Sequence, residues 1–147
     1  MSSLRVDLER IGQAAFRAVA GSGGTVIVDG SPEIGGEGRG MRPMELLLTA
    51  LSTCAAMDVV LILTKQREPL TKLEIETHGD RKSKVAGPTP FERIHVRFIA
   101  HGKVNAHKLE RAVRLSVEKY CSVSASLSPD VTVTHEAVLA PEAPEPT

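Results

Sequence analysis

The stretch that decides the fold is "PMELLLTALSTCAAMDVVLIL", residues 43–63. Of the twenty residues from 44 to 63, fifteen are apolar, and the other five are Glu45, Thr49, Ser52, Thr53 and Asp58. Pro43 suits a first helical turn, and Glu45 places a negative charge where the helix dipole favours one. Lys65 and Arg67 suit the helix end, and Pro69 stops it. The segment is about long enough to cross a membrane. Its carboxylates and hydroxyls lower its hydrophobicity, however, and the rest of the chain reads as a soluble domain. The expectation is a long, buried central helix with a cysteine, Cys54, at its middle.

Composition bounds what surrounds that helix. The chain has 147 residues, 41% hydrophobic but only 3% aromatic, so the core is aliphatic. This length fits one domain, read over residues 1–140, with "PEAPEPT" (141–147) as a disordered tail. Eighteen basic and eighteen acidic residues cancel, which argues against nucleic acid or an anionic membrane as partner. The opening "MSSLRVDLER" is neither a signal peptide nor a transit peptide, and the cytoplasm is the default location. In that compartment Cys54 and Cys121 read as free thiols or a redox pair rather than a structural staple.

Outward from the helix the patterns are shorter. "TVIVDG" (25–30) is a strand running into a turn. "ERIGQAAFRAV" (9–19) fits either a strand pair or a short helix, and strands are preferred if "AGSGG" is a hairpin connection. "SPEIGGEGRGMR" (31–42) is a glycine-rich loop. "TKLEIETHGDR" (71–81) and "FERIHVRFIAHG" (91–102) alternate with period two and are expected to pair. Asn105 caps an amphipathic helix, "AHKLERAVRLSVEKYC", whose buried stripe is Leu109, Val113, Val117 and Cys121, with Ala106, Ala112 and Tyr120 on the same side. "SVSASLSP" is a short helical turn or loop and "DVTVTHEAVL" a last strand. The class is α+β with antiparallel sheets, because the 87–90 connection is too short for a crossover.

Cys54 and Cys121 each have two readings. A cysteine in an apolar helix packs as a small hydrophobe. A nucleophilic thiolate instead needs a nearby cation and access to solvent. The helix supplies no cation of its own, so one would come from Arg39 or Arg42 in the glycine-rich loop, or from Arg17. Glu45 either orients such an arginine or simply favours the helix start. Asp58 lies one turn after Cys54 and opposes ionisation of a thiol there, so its expected role is structural. The five histidines lack metal-ligand spacing with the cysteines, and no metal or other cofactor is expected. "GGEGRG" is not a phosphate-binding pattern.

A "P-x-E-L-L-L" start, a cysteine nine residues after the Glu, then "DVVLILTKQR", resembles the OsmC/Ohr family of osmotically inducible and organic hydroperoxide resistance proteins. "LSVEKYCSVSASLSPDVTVTH" is similar to the family's second cysteine segment, and "KYCSV" resembles a less-characterised OsmC-like branch. The resemblance covers residues 43–135. It implies an intertwined homodimer with central helices packed together, small residues such as Ala50, Ser52, Ala55 and Ala56 allowing close approach. It implies a thiol peroxidase in which Cys54 attacks an organic hydroperoxide and becomes a sulfenic acid. Cys121 then closes a disulfide with it, and a small dithiol or lipoyl-type reductant resets the pair. Two departures concern the supporting residues. The family's clamping Glu lies one residue upstream, where this chain has Met44, a shift of about 100° around a helix. The family's arginine maps to the N-terminal strand region, with Arg17 and Arg39 as candidates. Competing readings are a non-catalytic dimer that binds a small apolar ligand at its interface, and another thiol chemistry on electrophiles or sulfur compounds.

Overall fold

The computed structural model of the chain describes residues 2–82 and 87–141. The expected tail lies outside the described residues from 142 onward, as do residues 83–86 of the expected loop after the first alternating strand. Backbone contacts group the chain into two compact units, Met1–Leu47 and Leu48–Thr147.

The first unit is an antiparallel meander of β1 (Val6–Arg10), β2 (Phe16–Ala20) and β3 (Thr25–Val28). The ambiguous 9–19 segment is therefore extended. Its register sets Leu8 opposite Ala18 and Ala18 opposite Val26, which gives one face of small and branched side chains. A single 3-10 turn at Pro32–Ile34 opens the glycine-rich loop, and Met41 returns to bridge Val28. Glycine is required here by close backbone approach. A Cβ on Gly40 would collide with the Ile27 carbonyl, and one on Gly36 with the Gly30 carbonyl.

Helix α1 (Pro43–Lys65) starts where its sequence says it should. The Arg42 carbonyl accepts the Leu46 N–H, and the Glu45 carboxylate reaches back to accept the Arg42 N–H at 2.9 Å. That is the returning half of a capping box. The end is equally local: Arg67 takes a left-handed φ of 56°, and Pro69 follows.

In the second unit β4 (Leu70–Arg81) and β5 (Phe91–Gly102) pair antiparallel, as expected. Ile94, Val96, Phe98 and Ala100 face the core. The last strand, β6 (Thr132–Leu139), corrects the expectation of antiparallel sheets: it runs parallel to β5, so the sheet is mixed. Its connection carries α2 (Ala106–Leu115) and α3 (Ser122–Ala125), which makes it long enough for a parallel crossover.

Within this unit α1 buries Leu51, Ala55, Val59 and Leu63, at steps of four, together with Ser52. Thr77 of β4 meets Ser52, their hydroxyls 2.6 Å apart, while Ser52 Oγ donates to the Leu48 carbonyl at 2.8 Å. The helix is buried along this face rather than all round. Met57 is 70% and Leu61 52% exposed in the single chain. A helix apolar on every side has no periodic stripe to say which face turns inward, and the sheet decides it.

Asn105 caps α2 as read, its side-chain oxygen accepting the Lys108 N–H at 3.1 Å. Glu68 pins the same corner, accepting the Asn105 N–H at 2.9 Å and pairing with Lys108 at 3.1 Å. The Asn105 N–H and then the Lys108 ammonium hold its carboxyl below the usual range. Leu109, Ala112, Val113 and Val117 are buried as the stripe requires. Ala106 and Tyr120, read on the same side, are exposed. Ala106 is the first residue of the helix, and Tyr120 lies beyond its regular part.

Candidate functional site

Between α2 and α3 the chain makes a π-turn, Ser116–Tyr120, closed by the Cys121 N–H donating to the Ser116 carbonyl at 2.9 Å. This turn explains how the stripe reaches Cys121. On an α-helix each four-residue step drifts by about 40°, so three steps would carry Cys121 about 120° from Leu109. A turn bonded over five residues is wider and unwinds part of that drift. Cys121 ends up 3% exposed, at the foot of the stripe.

The buried thiol has several polar neighbours, the Val123 N–H among them. It donates to the Leu51 carbonyl of α1 at 3.8 Å and accepts the Ser124 N–H at 3.4 Å. Another neighbour is the side chain of Cys54, one turn along α1 from Leu51. Burial pushes the Cys121 thiol up from its ordinary value. The Ser124 N–H works against that shift, and the adjacent Cys54 adds to it. Both cysteines are free, Cys54 half-buried and Cys121 buried. Two sequence segments far apart thus bring their thiols together in one unit.

An open apolar groove of about 390 Å³, whose lining does not include Cys54, runs between α1 and β4. Thr53, Ala56, Met57 and Val60 line one wall, Leu73 and Ile75 the other. The half-buried Asp58 has no hydrogen bond or ion pair among the described residues.

The other candidates, Glu45, Arg17, Arg39 and Arg42, belong to the first unit. Glu45 is engaged at the start of α1. Arg17 pairs with Glu9 at 3.0 Å, and both side chains are exposed. Arg39 donates from Nη1 to the Ile11 carbonyl at 2.9 Å, and its backbone N–H is bound by Asp29 at 3.1 Å. Sequence reasoning passed over Asp29. Its carboxylate is buried and also accepts the N–H groups of Gly30 at 2.8 Å and Glu37 at 3.0 Å, organising the loop that holds Arg39. The Glu37 and Arg39 N–H groups hold its pKa below the usual carboxylate range. The only hint had been "DG" after a strand, which reads as a turn. Among the described residues no group of three or more His, Cys, Asp or Glu is placed to hold a metal ion.

Comparison with known proteins bears on the whole arrangement. Protein YhfA of Escherichia coli (strain K12) is 36% identical over 121 residues, which cover 82% of this chain and 86% of YhfA. The crystal structure of a hypothetical protein from Aquifex aeolicus VF5 superposes with a TM-score of 0.78 at 33% identity, covering 96% of this chain and all (100%) of that one. An organic hydroperoxide resistance protein OsmC from Legionella pneumophila has a TM-score of 0.68 at 14% identity, covering 94% of this chain and 98% of that one, a likeness of fold alone. The family model described as OsmC-like protein matches residues 36–136, which include both cysteines, all of α1 and β4 to β5. The chain belongs to the OsmC-like protein family.

Proposed function

We propose that this protein is a cysteine-based peroxidase that reduces organic hydroperoxides through Cys54 and Cys121, acting as a homodimer in the cytoplasm, with residues 1–140 as its functional domain. The observation that carries the reading is the pairing of a half-buried thiol with a buried one. The more accessible thiolate, Cys54, attacks the terminal peroxide oxygen. The O–O bond breaks, an alcohol leaves after taking a proton, and Cys54 is oxidised to a sulfenic acid. Cys121 then attacks that sulfur. The S–S bond forms, the S–O bond breaks, and the Cys121 proton leaves with the hydroxide as water. Burial keeps that proton on Cys121 until it is needed. A small dithiol or lipoyl-type reductant returns the disulfide to two thiols. No cofactor or metal enters these steps.

Arg17 or Arg39 supplies the cation that activates Cys54 in this reading, with Glu45 in support. Replacing the right arginine by Ala slows iodoacetamide labelling of Cys54 at neutral pH about tenfold, and Lys restores it only in part. The dimer follows from the apolar surface that α1 leaves uncovered, Met57, Val60 and Leu61. Light scattering at micromolar concentration should return twice the chain mass.

Thiol titration before and after one equivalent of an organic hydroperoxide tests the chemistry. Loss of both thiols with a Cys54–Cys121 disulfide is expected, and unchanged thiols overturn it. The groove between α1 and β4 favours a second reading, a non-catalytic dimer that holds a small apolar ligand. Unchanged thiols together with saturable binding of an apolar fluorophore would support that one.

A further inference from the structure

We propose that the π-turn Ser116–Tyr120 is the positioning element that sets the Cys121 thiol against Cys54, and that Glu118 and His135 form the latch holding it there. The function of this device rests on the two-cysteine reading above, but its geometry does not. The π-turn delivers Cys121 to the buried face, and the bond from the Cys121 N–H to Ser116 closes the turn directly on the cysteine. A return of this turn to α geometry would rotate Cys121 away from the stripe on which Cys54 meets it.

Beyond that backbone bond, the side chains of the turn give it little internal support. Ser116 is fully buried, and its hydroxyl has no hydrogen-bond partner. Lys119 lies over the exposed Tyr120 ring at 5.6 Å, a contact within the turn. Val117 of the turn is buried among apolar neighbours, and among the described residues Glu118 is the turn residue whose side chain makes a polar contact with another element. Its Oε1 lies 3.2 Å from Nε2 of His135 on β6. His135 sits in register with Val96 on β5, the middle strand of the sheet, so the latch ties the turn to the most firmly bonded part of the unit. Glu118 and His135 act through Cys121 and are positioning residues.

The test separates the latch from the peroxidase reading by using diamide. Its N=N bond takes up the two thiol hydrogens to become a hydrazine while the S–S bond forms, with no hydroperoxide involved. On the full-length protein the Cys54–Cys121 disulfide should form with diamide in the wild type. Glu118→Ala should slow this step about threefold, the scale of a mostly exposed pair, while Cys54 alkylation keeps its wild-type rate. Glu118→Gln, which keeps a hydrogen bond to His135, should restore most of the rate. Glu118→Ala/His135→Ala should be no slower than either single variant, because both remove one interaction. A wild-type rate in Glu118→Ala overturns the latch, as does equal slowing of alkylation, which would mean general loosening. Failure of diamide to join the thiols in the wild type overturns it too. If diamide joins them at latch-dependent rates and hydroperoxide does not, the latch stands and the peroxidase reading falls.

Discussion

Asp29 in the first unit and Cys121 in the second are almost equally hidden from solvent, at 2% and 3% exposure, yet their acidities move in opposite directions. Burial alone would raise both, since it penalises a negative charge. Asp29 escapes because three backbone N–H groups point at its two oxygens. Cys121 has the Ser124 N–H at 3.4 Å against a large soft sulfur, a weaker contribution from the Val123 N–H, and a second thiol beside it. The number and quality of donors decide whether the upward push of burial on an acid's pKa is overcome. One group is thereby a fixed charge around which a loop is built. The other is a thiol whose protonated form is favoured.

The largest expected effect breaks the thiol side of this comparison. In Cys121→Ser the proton donor and second sulfur are gone, so hydroperoxide should leave a sulfenic acid on Cys54 that dimedone traps and mass spectrometry counts. No intramolecular disulfide should form. Cys54→Ser should abolish peroxide consumption altogether. If Cys54→Ser consumes peroxide at the wild-type rate, the roles assigned to the two thiols are wrong.

Breaking the carboxylate side should be costly to structure rather than chemistry. Asp29→Ala orphans the N–H groups of Gly30, Glu37 and Arg39 together, and a buried donor without a partner is strongly unfavourable. The melting temperature should fall well below that of a surface control such as Arg5→Ala. Hydrogen exchange should show the amides of Glu37 and Arg39 losing protection first. Asp29→Asn, with one acceptor oxygen left, should lie between. Retained protection in Asp29→Ala would mean that the glycines alone define the loop.

The same pair predicts two pH limits of opposite sign. Asp29 has a lowered folded-state pKa, so its contribution is present above the unfolded value, about 3.9, and is lost as pH falls through the lower folded one. Cys121 is raised. Its contribution is full below the unfolded value, about 8.5, and is lost as pH rises toward the folded one, because only the unfolded thiol then sheds its proton. Denaturation midpoints across pH should therefore lose the acid arm in Asp29→Asn and soften on the alkaline side in Cys121→Ala. An alkaline arm identical in Cys121→Ala and wild type would remove the thiol from that limit.

Much of this architecture was legible in the residues. Alternation at 71–81 and 91–102 marked both long strands, Pro43 and Pro69 bracketed α1, and Asn105 announced α2. The resemblance carried by "PMELLL" and "KYCSV" singled out the two cysteines that the fold brings together. The short 87–90 connection gave the direction of β4 against β5, but the direction of β6 was not legible, because a period of two is the same for parallel and antiparallel neighbours. Nor was the π-turn: steps of four from Leu109 to Cys121 read as a plain helix, and the extra width is set by tertiary contacts. Asp29 was hidden by its neighbour, since Asp-Gly after a strand is first of all a turn.

The smallest expected effect tests whether partners outrank burial for neutral groups as well. Ser52 and Ser116 both lie on helical segments of the second unit and both are buried. The Ser52 hydroxyl bonds Leu48 and Thr77, whereas the Ser116 hydroxyl bonds nothing. Ser52→Ala strips Thr77 of that partner and should cost about 1–2 kcal/mol in chemical denaturation. Ser116→Ala removes a dehydrated hydroxyl with no bond to lose and gains helix propensity, while the Ser116 carbonyl still accepts the Cys121 N–H. It should change stability by less than about 0.5 kcal/mol or improve it. Equal losses in the two variants would mean that the Ser116 hydroxyl is satisfied after all, and the external hold inferred for the π-turn would lose one of its supports.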